Sequence, residues 1–201
     1  MNYLAHAYLS FGEPEILVGN MISDFVKGKK KFDYPAGIQQ GIALHRLIDS
    51  FTDAHPATKE AKEIFRHHYR LYSGAFIDVV YDHFLATDEN EFAGQALFDF
   101  SQQVYNILNN HRQWLPDPFV VMFPYMKDQN WLYNYRTRSG TGKSFGGLVR
   151  RAAYLEDSST AIHLFEKNYQ PLQQSYRQFW TAVKPFAQRE FESLRTAGNN
   201  A

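Results

Sequence analysis

Residues 73 to 87 read Ser73-Gly74-Ala75-Phe76-Ile77-Asp78-Val79-Val80-Tyr81-Asp82-His83-Phe84-Leu85-Ala86-Thr87. This is one short helix with Phe, Ile, Val, Tyr and Leu on nearly every side, and a helix that is apolar all round is buried. Yet Asp78, Asp82 and His83 sit in its middle. Burying an unpaired carboxylate is costly enough that such a group is normally protonated, paired or bound to a metal. The rest of the chain must therefore enclose this helix and neutralise it. Strand signals, alternating Val/Ile/Thr runs between turn residues, hardly occur. The fold class expected is all-α, a single helical domain over residues 1–201 with no clear linker or repeat.

Outward from this segment the chain reads as further helices. Asn2 to Leu9 forms a short one, and Ile16 to Lys27 another, with Pro14 in its first turn and Gly28 as its stop. On that helix Leu17, Met21 and Asp24 share a stripe, with Asn20 alongside. Lys29-Lys30-Lys31 is a basic loop. Pro35 opens a helix to about Ala54, where His55-Pro56 blocks continuation. Ile38, Ile42, His45 and Asp49 follow i, i+4, i+7, i+11, so His45 and Asp49 extend an apolar stripe and can converge on one atom. A charged, solvent-facing helix spans Ala57 to about Leu71. A longer one follows Glu91 and reaches Trp114. Residues 119 to 139 are rich in aromatics, and Ser139 to Gly147 reads as a flexible glycine-rich loop. Thr160 to Thr196 suggests two or three pieces kinked at Pro171 and Pro185, and Gly198-Asn199-Asn200 should fray.

Composition narrows the function classes. Lys plus Arg and Asp plus Glu number 21 each, which argues against nucleic-acid binding by bulk charge. Cysteine is absent, removing disulfides, thiolate catalysis and Cys-based zinc sites. No apolar run approaches a membrane span, and the first residues lack a signal-peptide pattern, so a cytoplasmic, non-membrane protein is expected.

Gly142-Lys143-Ser144 imitates the end of a phosphate-binding loop, but Thr137 stands where the first glycine is required. Glu63 has Arg66, not histidine, three residues on, so the paired Glu-x-x-His of di-iron bundles is absent. His67, His68, His111 and His163 lie among polar neighbours and read as surface residues. His6, Asp24, His45, Asp49, Asp78, Asp82 and His83 instead fall on apolar faces of four predicted helices. Imidazole and carboxylate without thiolate suit Mn²⁺, Fe²⁺, Zn²⁺ or Mg²⁺. The competing structural reading is a buried network of Asp–His and Asp–Arg pairs, with Arg46 as the available cation. Adjacent Asp82 and His83 diverge by about 100° on a helix, so both serve one cluster only if a metal sits over that helix.

Four blocks carry a family resemblance: Asn2-Tyr3-Leu4-Ala5-His6, then Gly19 to Gly28 (GNMISDFVKG), Gly41 to Asp53 (GIALHRLIDSFTD) and Asp78 to Leu85 (DVVYDHFL). In this order, over the first 90 or so residues, the chain resembles the acyl carrier protein phosphodiesterases, a variant of the HD-domain metal phosphohydrolases. The resemblance implies an HD-domain-like helix bundle, with residues 91–196 completing its core.

It also implies hydrolysis of the phosphodiester joining 4′-phosphopantetheine to a serine of holo-acyl carrier protein, an activity of fatty acid biosynthesis and lipid metabolism. Mn²⁺ is the cofactor implied, with Mg²⁺ or Fe²⁺ as alternatives. Carried onto this sequence, Asp24, His45, Asp82 and His83 are the expected ligands. Asp49 and Asp78 are further ligands, or acceptors that orient them. His6 is a ligand or the general acid for the leaving serine oxygen, which with Asp24 and Asp78 makes the catalytic set. The carrier is acidic, so Lys27, Lys29, Lys30 and Lys31 are expected to dock it from the rim of the site. The readings that compete are a nucleotide or other small-phosphoester phosphohydrolase on the same kind of metal site, and a non-enzymatic helical binding module.

Overall fold

The computed structural model describes residues 1–199; the fraying expected at Asn200 lies outside the described residues. The described residues form eleven α-helices and no strand. These are α1 (Tyr3–Tyr8), α2 (Pro14–Ile22), α3 (Ala36–Ala54), α4 (Pro56–Tyr69), α5 (Ser73–Ala86) and α6 (Ala96–Asn110). They are followed by α7 (Asp117–Asp128), α8 (Trp131–Asn134), α9 (Arg138–Arg151), α10 (Ser159–Lys167) and α11 (Tyr169–Asn199).

Helix α5 is enclosed by α1, α4, α9 and α11, as its all-round apolar surface requires. Phe76, Ile77, Val79, Val80, Phe84 and Leu85 are buried, and Tyr81 stacks on Phe179 of α11 with ring centroids 4.8 Å apart. Phe76 stacks on Phe65 of α4 at 5.7 Å. Burying one such aromatic is worth roughly 2–3 kcal/mol, so this packing is the main force holding α5 in place.

The other close pair is α2 on α3. A Cβ on Gly19 would lie 2.1 Å from the Ile38 carbonyl oxygen, and one on Gly41 2.2 Å from that of Ile16. The two backbones approach this closely only because both positions lack side chains. The crossing sets Asn20, next to Gly19, against His45, one turn after Gly41.

Several expected boundaries shift for local reasons. Helix α2 ends at Ile22 and tightens into a 3₁₀ turn, Ser23–Phe25, rather than reaching Lys27. The lysine run lies in a second 3₁₀ segment, Gly28–Asp33, which Gly28 opens at φ +58°. The expected Ser139–Gly147 loop is helical. The Thr137 side chain caps α9 by accepting from the Gly140 N–H at 3.0 Å, and a Cβ on Gly140 would meet the Asn134 carbonyl oxygen at 2.0 Å. Gly140 there serves close approach, not mobility. Pro171 falls in the first turn of α11, where its missing N–H costs nothing. Pro185 lies within that helix, so α10 is followed by one 31-residue helix instead of several pieces. Glu91 ties the loop before α6 to α11, accepting from Trp180 Nε1 at 2.8 Å, Lys184 Nζ at 2.6 Å and the Tyr8 hydroxyl.

Candidate metal centre

The α2–α3 crossing positions two imidazoles. His6 of α1 and His45 of α3 stack with ring centroids 3.9 Å apart and planes 16° from parallel. Asn20, fully buried between them, fixes which nitrogen of each carries its proton. Its amide nitrogen donates to the His6 carbonyl at 2.8 Å and to Ser10 Oγ at 3.1 Å, which settles the orientation of the amide. Asn20 Oδ1 therefore accepts from His6 Nδ1–H at 2.8 Å. The main-chain oxygen of the same residue accepts from His45 Nδ1–H, also at 2.8 Å.

Both Nε2 atoms are left to face carboxylates. His6 Nε2 lies 3.1 Å from Asp49 Oδ1, and His45 Nε2 lies 3.0 Å from Asp49 Oδ2 and 3.2 Å from Asp24 Oδ1. Asp24, in the turn after α2, has 73 % of its side chain exposed and stands at the mouth. Asp49 is half-buried. Ligand atoms of His6, His45 and Asp49 all fall within 4.8 Å of one another.

The charges explain what this group lacks. Burial, with the neighbouring His45 ring, lowers His6 to a pKa of about 4. Burial opposes protonation of His45 too, but hydrogen bonds to Asp24 and Asp49 outweigh it and raise that pKa to about 9. Burial likewise pushes the Asp49 carboxyl up, yet the bonds from His45 and His6 prevail and hold it well below the usual range. At neutral pH the stacked pair thus carries one positive charge: beyond the two Nδ1–H groups, a single proton sits on His45 Nε2. The His6 Nε2 lone pair then faces a carboxylate oxygen with no hydrogen between them. A divalent cation relieves that acceptor–acceptor contact, and imidazoles whose other nitrogen donates to a carbonyl are oriented as metal ligands are. The donor set fits a metal: two imidazole nitrogens, both Asp49 oxygens and the reachable Asp24.

Asp78 and Asp82 take different places. Asp78 Oδ1 lies 3.1 Å from the Met1 amino group, which is itself 3.4 Å from Asp49 Oδ1, so Asp78 joins the group through that nitrogen. Burial raises its pKa. Asp82, fully buried, accepts from the backbone N–H groups of Leu4 at 2.8 Å and Ala5 at 3.1 Å. Burial raises its pKa to about 7 despite those donors. It anchors α1, and both of its oxygens are occupied by backbone donors.

His83 points the other way, as the divergence of adjacent helical residues requires. Its Nδ1 donates to the Tyr135 carbonyl at 2.7 Å and its Nε2 meets the Tyr169 hydroxyl at 2.9 Å. Burial lowers its pKa. The structure therefore brings His6, Asp24, His45, Asp49 and, through Met1, Asp78 together, and places Asp82 and His83 outside that group. Arg46, the cation of the competing structural reading, donates instead to the Val26 carbonyl at 2.9 Å. Sequence reading passed over the part of Asn20; its place beside Gly19, one turn before Asp24, was the available signal.

A family model described as acyl carrier protein phosphodiesterase matches residues 1–183. The chain belongs to the acyl carrier protein phosphodiesterase family. It is 31 % identical over 191 residues to an acyl carrier protein phosphodiesterase of Yersinia pestis, covering 94 % of this chain and 99 % of the relative. It is similarly 31 % identical over 195 residues to the protein of that name from Salmonella agona, covering 94 % and 99 %. The Photorhabdus laumondii relative is 29 % identical over 181 residues, 90 % of this chain and 91 % of its own. The family name denotes a phosphodiester hydrolase. No solved structure matches the chain. Among the described residues no helix is long and apolar enough to cross a membrane.

Proposed function

We propose that this protein hydrolyses the phosphodiester between 4′-phosphopantetheine and serine of holo-acyl carrier protein, using a divalent metal, Mn²⁺ first among the candidates. The observation that carries the metal reading is the pair of Nε2 atoms, turned by the Nδ1–H bonds to Asn20 toward the two oxygens of Asp49. His6, His45 and Asp49 would hold the ion, with Asp24 completing the set from the mouth. A divalent ion bound there supplies an acidified water and polarises the phosphoryl oxygen.

His6 would serve as a ligand and not as the general acid, because its Nδ1–H is committed to Asn20 Oδ1 and its unprotonated Nε2 is the atom free to bind an ion. Asp24 and Asp78 stand at opposite ends of the row of charged groups and would flank a phosphodiester held over its centre. Asp82 and His83 act at a distance by fixing α1 and the Tyr135–Thr137 segment against α5.

Lys27, Lys29, Lys30 and Lys31 supply positive charge just after Asp24. Lys29 and Lys30 are exposed, and Lys31 Nζ lies 4.9 Å from the centre of the Phe32 ring, itself 62 % exposed. Such charge raises the association rate with an acidic carrier and fixes its orientation. The decisive experiment incubates holo-acyl carrier protein with the protein and Mn²⁺ and follows the carrier by mass. Release of phosphopantetheine that stops with a chelator is the expected result. An unchanged carrier, beside active hydrolysis of nucleotides, would overturn the assignment in favour of a nucleotide phosphohydrolase.

A further inference from the structure

At the Asp78 end of the site a cleft of about 580 Å³ opens between α4 and the start of α5. Asp78 is part of its lining, so the cleft is linked to Asp49 through two ion pairs that share the Met1 amino group. Its outer wall carries Lys62, Arg66 and Arg70, spaced i, i+4, i+8 along one stripe of α4 and its end. The floor of small side chains is open: a Cβ on Gly74 would come no nearer than 3.4 Å to Lys62.

Two of these cations have partners. Lys62 pairs with Asp53 at 2.6 Å and Arg66 with Glu63, while Arg70 forms no ion pair among the described residues. Arg70 is also held at φ 44° and ψ −118°, a turn conformation that glycine adopts freely and other residues adopt under strain. Strain retained at such a position is a pointer to function. Leu71 beside it is 98 % exposed, an apolar side chain standing free next to a cationic rim. Asp53 and Asp78 also line the cleft, so its excess positive charge is concentrated at Arg66 and Arg70, beside the free apolar side chain of Leu71; such a cationic and apolar lip is complementary to an acidic protein surface.

We infer that the Lys62–Arg66–Arg70 cleft, with Leu71 at its lip, is a docking surface for the acidic face of the carrier protein. This rests on the carrier reading above and deepens it. The row Asp24–His45–Asp49–Asp78 then lies between two basic surfaces, Lys27–Lys31 at one end and the cleft at the other. A carrier bridging both presents its phosphodiester to the centre of the row.

The test measures binding without turnover: holo-acyl carrier protein titrated into the metal-free enzyme and followed by fluorescence anisotropy, with the Michaelis constant measured in parallel on the Mn²⁺-loaded enzyme. Arg66→Glu/Arg70→Glu is expected to weaken Kd and raise KM at least tenfold, steeply so at low salt, while Arg177→Glu on the exposed side of α11 changes Kd less than twofold. Arg70→Gly separates docking from fold damage. It relieves the backbone, so its melting temperature should rise while binding weakens severalfold. Wild-type Kd and KM in the double variant, with the carrier still cleaved, would overturn the cleft and leave the function standing. A wild-type enzyme that neither binds nor cleaves the carrier would overturn both.

Discussion

Loading the centre with metal should release close to one proton at pH 7, and the count tests the tautomer reading directly. His45, with its pKa at about 9, is about 99 % protonated at pH 7, and His6, at about 4, is essentially unprotonated. An ion bound through both Nε2 atoms displaces the His45 proton and none from His6, so about one proton leaves per ion. Two ordinary imidazoles with pKa near 6.5 would together release about half a proton. Calorimetric titration of Mn²⁺ into metal-free protein, repeated at pH 7 in buffers of different ionisation enthalpy, gives the number as a slope. Apparent affinity should also rise roughly tenfold per pH unit up to about pH 9 and then level. The metal-free protein supplies a second readout. His45 is raised, so its stabilisation is complete below about pH 6.5 and lost as pH climbs through 9; His6 is lowered, so stability is lost as pH falls from 6.5 toward 4. Asp82, raised to about 7, loses stability as pH climbs over the same range in which His6 gains it, so the metal-free protein should melt on a plateau between about pH 4 and 6.5 and fall steadily above it, and the chelated and Mn²⁺-loaded proteins should differ most in alkaline solution. A slope near 0.5, or near zero with full metal binding, would refute the one-proton centre.

Gly41→Ala drives a methyl into the Ile16 carbonyl and must spread α2 from α3. Loss of several kcal/mol in chemical denaturation and at least tenfold weaker Mn²⁺ binding are expected, because Asn20 and His45 separate together. Asp82→Ala leaves the Leu4 and Ala5 N–H groups buried without acceptors. It should cost on the order of 2–4 kcal/mol in denaturant melts, and metal affinity should fall in the same measure that α1 loosens. Substituting His83 by Ala should lower stability without changing the number of protons released by metal; a changed count would place His83 at the ion after all. Charge reversal at Lys29, Lys30 and Lys31 together should raise KM for the carrier roughly tenfold and leave kcat within twofold; an equal loss in hydrolysis of a small phosphodiester would count against docking.

The all-α class was readable because α5 is apolar on every side and strand patterns are absent, and neither signal depends on distant contacts. His45 and Asp49 were readable as a pair because i, i+4 spacing on an apolar stripe fixes their direction. The direction of Asp82 and His83 was not. On a helix buried all round, periodicity names no face, so burial and chemistry alone placed them with the other acids. Which neighbour each one meets depends on where α1 and α9 lie, and that is set by long-range packing. The Ser139–Gly147 segment misled for a related reason. Its glycines look like flexibility in sequence, whereas in the fold Gly140 is small because a carbonyl of the preceding turn presses against it. Asn20 was hidden because its role divides between side chain and main chain, and half of that leaves no mark on residue type.

The neutralisation of α5 follows from these placements. Asp82 is met by two backbone N–H groups of α1, Asp78 by the Met1 amino group, and His83 stays neutral against Tyr135 and Tyr169. Each of these contacts ends on a segment that bears on the site. Asp82 fixes the helix that carries His6, and Asp78 faces both Asp49 and the cationic cleft. The apolar surface of α5 makes it the rigid reference of the fold, and its polar groups transmit that position outward. Gly19 and Gly41 perform the complementary task from the other side, bringing Asn20 and His45 close enough for one residue to set both imidazoles. The stacking of His6 on His45 needs both constraints at once, since α1 contributes one ring and α3 the other. Combining Asp82→Ala with Gly41→Ala should therefore weaken Mn²⁺ binding no more than the worse single change, because either alone already unstacks the rings; strictly additive losses would mean that the two helices hold the ion independently.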